Sequence, residues 1–117
     1  FPIFWYSMPS LLAKWMEDVF VRGFSHGSTG KALAHKKLLL SFTTGAPESA
    51  YGGAFPAEMM TGRFSQTAGL TGMVYEGAVA TYAVSYADRT DPARAADMTA
   101  VSHAHAKRLA EKIASLM

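Results

Sequence analysis

Apolar positions along the chain fall into helical registers separated by short continuous runs. Leu11, Leu12, Trp15, Val19 and Phe20 share one face of a helix, with Lys14, Glu17 and Asp18 on the other. Pro9 suits its first turn, Ser7 is placed to cap it, and Gly23 is placed to stop it. A Gly, Ser and His-rich connection over 24–35 leads into Lys37-Leu38-Leu39-Leu40-Ser41-Phe42-Thr43. That nearly unbroken run predicts a strand buried on both faces. A loop from Thr44 to Phe55 precedes a weaker helix from about Pro56 to Ala68, with Met60, Phe64 and Thr67 in register and Gly62 and Gly69 blurring its limits. Val74 to Ser85 reads as a second strand. Asp91-Pro92 opens a last helix on which Met98, Val101, His105, Leu109, Ile113 and Leu116 recur at helical spacing.

The order helix, strand, helix, strand, helix predicts an α/β fold, a doubly wound parallel sheet with helices on both faces. Two strands cannot complete such a sheet, because a buried parallel pair leaves unpaired backbone groups at its edges. Residues 1–117 are therefore expected to be the C-terminal part of a single domain, with further strands N-terminal to it. The aromatic opening Phe1-Pro2-Ile3-Phe4-Trp5-Tyr6 reads as a segment leaving one of them. No internal repeat offers another way to close the fold.

Composition narrows the function classes. Half of the 117 residues are apolar, enough for a core, and the net charge of +2 is spread along the chain. Only Lys36-Lys37 and Lys107-Arg108 are adjacent basic pairs, which argues against a nucleic-acid partner. The absence of cysteine excludes disulfides and thiolate zinc sites and suits a reducing cytoplasm. No apolar run approaches the about 20 residues needed to cross a bilayer, so a soluble protein without membrane insertion is expected.

Two stretches carry chemistry. Phe1-Pro2-Ile3-Phe4-Trp5-Tyr6-Ser7-Met8-Pro9 with Lys14-Trp15 and Val19-Phe20, and then Ser41-Phe42-Thr43-Thr44-Gly45 with Tyr51 beyond it, resemble the two signatures of the NAD(P)H dehydrogenase (quinone) family. That family includes modulator-of-drug-activity proteins and ancillary subunits of glutathione-gated potassium efflux systems. The resemblance implies a flavodoxin-like fold, of which this chain supplies about the last two strands and three helices and lacks the phosphate-binding loop. It implies a cytoplasmic homodimer that binds FMN or FAD, takes electrons from NAD(P)H and passes two of them to a quinone or similar flat acceptor. A regulatory subunit in peripheral contact with a potassium efflux transporter is the alternative.

An isoalloxazine ring is a flat apolar plate with a polar edge, and in an open α/β sheet it lies beyond the carboxyl ends of the strands. By resemblance Pro2, Ile3, Phe4, Trp5 and Tyr6 line the flavin, and Thr43, Thr44, Gly45 and Ala46 meet its pyrimidine edge. Tyr51 is the expected catalytic group, its hydroxyl stabilising charge on the reduced ring. Trp5, Tyr6, Phe24 and His26 are the expected substrate contacts, the last two reaching over the neighbouring subunit's site. Two positions depart from the pattern: Ala57 stands where mammalian-type relatives carry a histidine, and His26 where a tyrosine is common.

Other motifs fall away. Gly27-Ser28-Thr29-Gly30-Lys31 resembles a phosphate loop, but Ser25 replaces the required first glycine and Ala32 the magnesium-binding hydroxyl. His103 and His105 point away from each other on their helix, so no metal site is expected. His105, on the apolar face, is expected to be a packed core histidine.

Overall fold

A computed structural model describes residues 1–53 and 56–117; Phe55, the expected end of the long loop, lies outside them. The elements alternate as expected: α1 (Ser10–Val19), β1 (Lys37–Thr43), α2 (Ala57–Thr71), β2 (Val74–Thr81) and α3 (Pro92–Leu116). Short 3-10 turns at Glu48–Ala50 and Tyr86–Arg89 punctuate the loops that follow the strands.

β1 and β2 pair in parallel, from Lys37 opposite Val74 to Thr43 opposite Thr81. Leu38 faces Tyr75 while Leu40 faces Ala78, so β2 carries one extra residue between them. Gly77 absorbs this bulge at φ +88°, a left-handed conformation that side chains disfavour. On its other edge β1 receives the opening segment: Ile3 N–H donates to the Thr43 carbonyl (2.8 Å), and Thr43 N–H to that of Phe1 (3.1 Å). The aromatic opening thus runs alongside β1 as a sheet segment, and β1 is central.

The pleat of β1 explains its composition. Leu40 and Phe42 point to one face, where they join Met60 and Phe64 of α2 in the buried core. Leu39, Ser41 and Thr43 point to the other, where they meet α3. Both faces are covered, as the unbroken apolar run predicted. On α2, Met60, Phe64, Ala68 and Thr71 form a buried stripe at helical spacing. This helix runs one turn past the expected Ala68 and is closed by Gly72, left-handed at φ +75°. Gly69 lies within it, exposed, where the missing side chain disturbs no packing.

Local chemistry overturns several expectations. Ser7 does not cap α1, whose N-cap is Pro9 without a side-chain hydrogen bond; instead the Ser7 hydroxyl accepts from the Arg63 guanidinium at 2.7 Å. The helix ends at Val19, before Gly23, because Phe20 leaves the helical conformation. Its inner face carries Leu12, Met16 and Val19, while Leu11 and Trp15 turn outward. Met16 packs on the core and shifts the buried stripe by one position. β2 stops at Thr81, not Ser85, because Ala83 is left-handed at φ 59° and Val84 turns back to donate to the Thr44 carbonyl. The last helix begins as expected, with the Asp91 carboxylate accepting from Ala93 N–H at 3.0 Å.

Candidate functional site

Both strands end at the same edge of the sheet, and the segments beyond them meet there. A cavity of about 530 Å³ opens at this edge, within the roughly 300–1,000 Å³ of small-molecule sites. Its walls come from Pro2, Ile3 and Phe4, from Thr43, Thr44 and Gly45, and from Val84, Ser85, Tyr86 and Arg89. The first two groups are those expected from the sequence, and the fold brings them together. The third was missed, having been assigned to a strand and a connection. Its signal was present: Ser85 and Asp88 stand at capping-box spacing. The Asp88 carboxylate accepts from Ser85 N–H (3.0 Å) and pairs with Arg94 (3.2 Å), while Arg89 lies over the Tyr86 ring at 5.4 Å.

The first wall ends in a strained turn. Phe4 and Ser7 exchange backbone hydrogen bonds of 2.9 and 3.0 Å, leaving Trp5 and Tyr6 as the two central residues. Both are left-handed, at φ 49° and 61°. Such turns favour Asn and Gly, and each bulky residue held there costs on the order of 1 kcal/mol or more. The turn projects Trp5 outward, 93% exposed, with Phe4 and Tyr6 more than half exposed beside it. Backbone strain and exposed large aromatic rings thus coincide in this turn.

The second wall is held from beneath. Thr44 is only 2% exposed; its N–H donates to the Thr81 carbonyl (3.0 Å) and its hydroxyl to the Ala46 carbonyl (2.8 Å). Thr44 therefore shapes the loop from within. Among the described residues, the N–H groups of Gly45, which lines the cavity, and of Ala46, which follows it, meet no protein acceptor.

Trp5, Tyr6, Ala46 and Tyr51 stand beside the walls rather than in them. Tyr51 is half-buried, with the Tyr6 ring at 6.2 Å and the Tyr82 ring at 6.0 Å. The side chain of Ala57, one of the two positions expected to depart from the family pattern, lies outside the described residues.

Phe24 and His26 lie elsewhere. Their loop enters β1 at the sheet's amino end, where His35 N–H donates to the Gly72 carbonyl at 2.8 Å. His26 lines a separate cavity of about 220 Å³ with the last turns of α1 and α2, Met16 and Thr71 among them. The loop is firmly shaped: Ser25 is fully buried with its hydroxyl 3.0 Å from His26 Nδ1, and Gly30 lies so close on the His26 backbone that no side chain would fit. Within one copy, Phe24 and His26 sit at the opposite end of the sheet from the cavity.

His105 departs from the expected core role. It is half-buried, and both ring nitrogens are engaged: Nε2 with the Ser41 hydroxyl at 2.8 Å and Nδ1 with the Thr81 hydroxyl at 2.7 Å. Burial, and then the nearby Arg108 guanidinium, lower its pKa from 6.5 and favour the neutral ring. Among the described residues, no three His, Asp or Glu side chains gather to hold a metal, and no helix is long and apolar enough to cross a membrane.

Known proteins are similar to this chain. General stress protein 14 of Bacillus subtilis is 39% identical over 117 residues, covering 97% of this chain and 61% of that protein. An uncharacterised NAD(P)H oxidoreductase of the same organism is 38% identical over 70% of this chain and 44% of its own length. The glutathione-regulated potassium-efflux system ancillary protein KefG of Serratia proteamaculans is 42% identical over 62% of this chain and 42% of its own length. The chain thus spans less than two thirds of each of these relatives.

Among solved structures, general stress protein 14 of Treponema denticola in complex with FMN superposes with a TM-score of 0.77 at 27% identity, over 97% of this chain and 62% of that one. An NADPH-quinone reductase from P. pentosaceus gives a TM-score of 0.66 at 28% identity, over 86% and 61%. The family model for the flavodoxin-like fold matches residues 1–106, and with the parallel strands, the flanking helices and the cavity at the strands' carboxyl ends, this chain belongs to the flavodoxin-like fold family.

Proposed function

We propose that this chain carries the ring-binding part of a flavin-dependent NAD(P)H:quinone oxidoreductase that acts in the cytoplasm as a homodimer. The observation that carries the reading is the convergence of Pro2–Phe4 and Thr43–Gly45 on one cavity at the sheet's carboxyl edge. The residues fit a flavin ring: Pro2, Ile3, Phe4 and Val84 offer apolar surface to the plate, and the open N–H groups of Gly45 and Ala46 suit the polar pyrimidine edge. FMN is the flavin proposed, as in the Treponema denticola complex.

A bound flavin would supply hydride acceptance from NAD(P)H and electron delivery to a quinone. The chain's own part is to hold and orient. Backbone donors at Gly45 and Ala46, with the Tyr51 hydroxyl, hold negative charge at the pyrimidine edge without reorganising. The exposed Trp5 and Tyr6 rings flank the acceptor's approach. Phe24 and His26, remote from the site of their own copy, are proposed to cover the site of the neighbour.

The test is NAD(P)H oxidation by the complete, flavin-loaded protein with menadione as acceptor. Steady turnover is expected. A flavin-loaded protein without turnover would remove the enzymatic reading. It would favour a second one, a regulatory subunit bound to a potassium efflux transporter, which the similarity to KefG supports.

A further inference from the structure

Thr81 joins α3 to the ring site. Its hydroxyl accepts from Arg108 at 2.7 Å and meets His105 Nδ1 at 2.7 Å, while its carbonyl accepts from Thr44 N–H at 3.0 Å. The Thr44 hydroxyl then donates to the Ala46 carbonyl at 2.8 Å. Through Nε2, 2.8 Å from the Ser41 hydroxyl, His105 also holds β1, so one imidazole spans both strands just before they end. The same ring walls a cavity of about 160 Å³ that shares Thr43 and Val84 with the larger one. A continuous set of hydrogen bonds therefore runs from α3 to the loop bearing the open Gly45 and Ala46 donors.

We infer that His105 is a positioning residue for this site: by bridging Ser41 and Thr81 it sets the spacing of the two strand ends from which the cavity loops depart. The inference rests on the flavin reading above. A neutral imidazole has one donor and one acceptor, and the two hydroxyls use both. Protonation turns the acceptor into a donor, so the hydroxyl that donated to it must rotate to accept instead and direct its own proton elsewhere. It also places a second cation beside Arg108, which donates to the Ala80 carbonyl (3.0 Å) as well as to Thr81. The charged group facing the ring is the Arg108 guanidinium from α3. β1 and β2 present only neutral hydroxyls to it. The bridge therefore works while His105 is neutral and loosens in acid.

The experiment uses the complete protein containing this chain, freed of flavin. FMN is titrated by fluorescence near neutral and at mildly acidic pH, for wild type, His105→Ala and His105→Gln. Thermal unfolding is measured for each, and ring-nitrogen NMR follows His105 without flavin. His105→Ala should bind FMN about tenfold more weakly, as expected for two lost hydrogen bonds. His105→Gln, which keeps a donor and an acceptor, should recover to within about threefold. Wild-type binding should weaken in acid, binding by His105→Gln should not, and NMR should find one neutral tautomer. If His105→Ala does not fold, Ser41→Ala replaces it, with an expected weakening of about threefold.

Wild-type affinity in His105→Ala, or in Ser41→Ala where that replaces it, overturns the inference. So does a glutamine variant as weak as alanine with the same loss of thermal stability, since that is a merely structural role. Wild type that binds no FMN at any pH defeats the flavin reading instead; the ring spectrum then decides the bridge alone, and rapid tautomer exchange at an ordinary pKa would refute it.

Discussion

The Tyr6 ring meets Tyr51 edge-on, with centroids 6.2 Å apart and planes at 76°. Tyr51 leans at the same time on Tyr82 at 6.0 Å. Its hydroxyl-bearing ring is therefore held between the strained turn that follows Phe4 and the residue that follows β2.

Tyr51→Phe keeps both ring contacts, so unfolding free energy should change by less than about 0.5 kcal/mol. Stopped-flow reduction of the bound flavin by NAD(P)H should slow by about tenfold, less than the loss of a sole oxyanion donor, because backbone amides share the charge. Reduction at the wild-type rate would remove Tyr51 from the mechanism.

Trp5→Gly separates strain from function. The side chain is almost wholly exposed and its backbone left-handed, so glycine forfeits little packing and relieves strain worth about 1 kcal/mol or more, partly offset by a more flexible unfolded chain. Denaturant unfolding should show equal or higher stability, while quinone KM rises several-fold. Loss of stability would mean that the indole packs against something in the assembled protein.

Met60 is the most buried large side chain of the core, at 1% exposure between Phe64 and the inner face of β1. Met60→Ala should cost about 2–5 kcal/mol in urea unfolding, from lost transfer energy plus the cavity left behind. A smaller loss would show that the two layers collapse around the gap.

Acid should destabilise the fold through His105. Its pKa in the folded chain lies below the unfolded 6.5, so the unfolded state binds more protons in that range. The contribution of His105 is complete above about pH 6.5 and declines as pH falls below that value towards the folded pKa. Thermal unfolding across this range should show the decline in wild type and a flatter profile in His105→Gln. Identical profiles would mean that other groups govern the acid response.

Phe24 and His26 lie at the sheet end remote from the cavity, so they can serve a site only across a subunit boundary. Sedimentation at micromolar concentration should find a dimer of the complete protein, and His26→Ala should alter acceptor KM without altering flavin content. A monomer that retains full turnover would sink the shared site.

Much of the fold was legible because β1 is short and must satisfy two faces at once: its apolar run announced burial on both sides, and the pleat then assigned Leu40 and Phe42 to α2 and Ser41 to α3. The stripe of Met60 and Phe64 was readable for the same reason, since a period of 3.6 leaves one face. On α1 the pattern was ambiguous. Leu11, Leu12, Trp15, Met16, Val19 and Phe20 make two overlapping apolar faces, and only docking of Met16 on the core selects between them.

The site was legible in part. Pro2–Phe4 and Thr43–Gly45 were marked by resemblance to the two family signatures, but their meeting depends on Phe1–Ile3 pairing along β1, a contact between segments distant in sequence that no local pattern encodes. Nothing in the side chains of Trp5 and Tyr6 foretells a left-handed turn; exchange of hydrogen bonds between Phe4 and Ser7 imposes it. His105 shows the division most plainly. Its position on the apolar face of α3 followed from helical spacing, whereas its bonds to Ser41 and Thr81 arise because parallel pairing brings two strand ends under one helix. Periodicity is a property of neighbours along the chain, but the pairing of a polar group is decided by whichever distant residues the packed layers place within hydrogen-bonding reach.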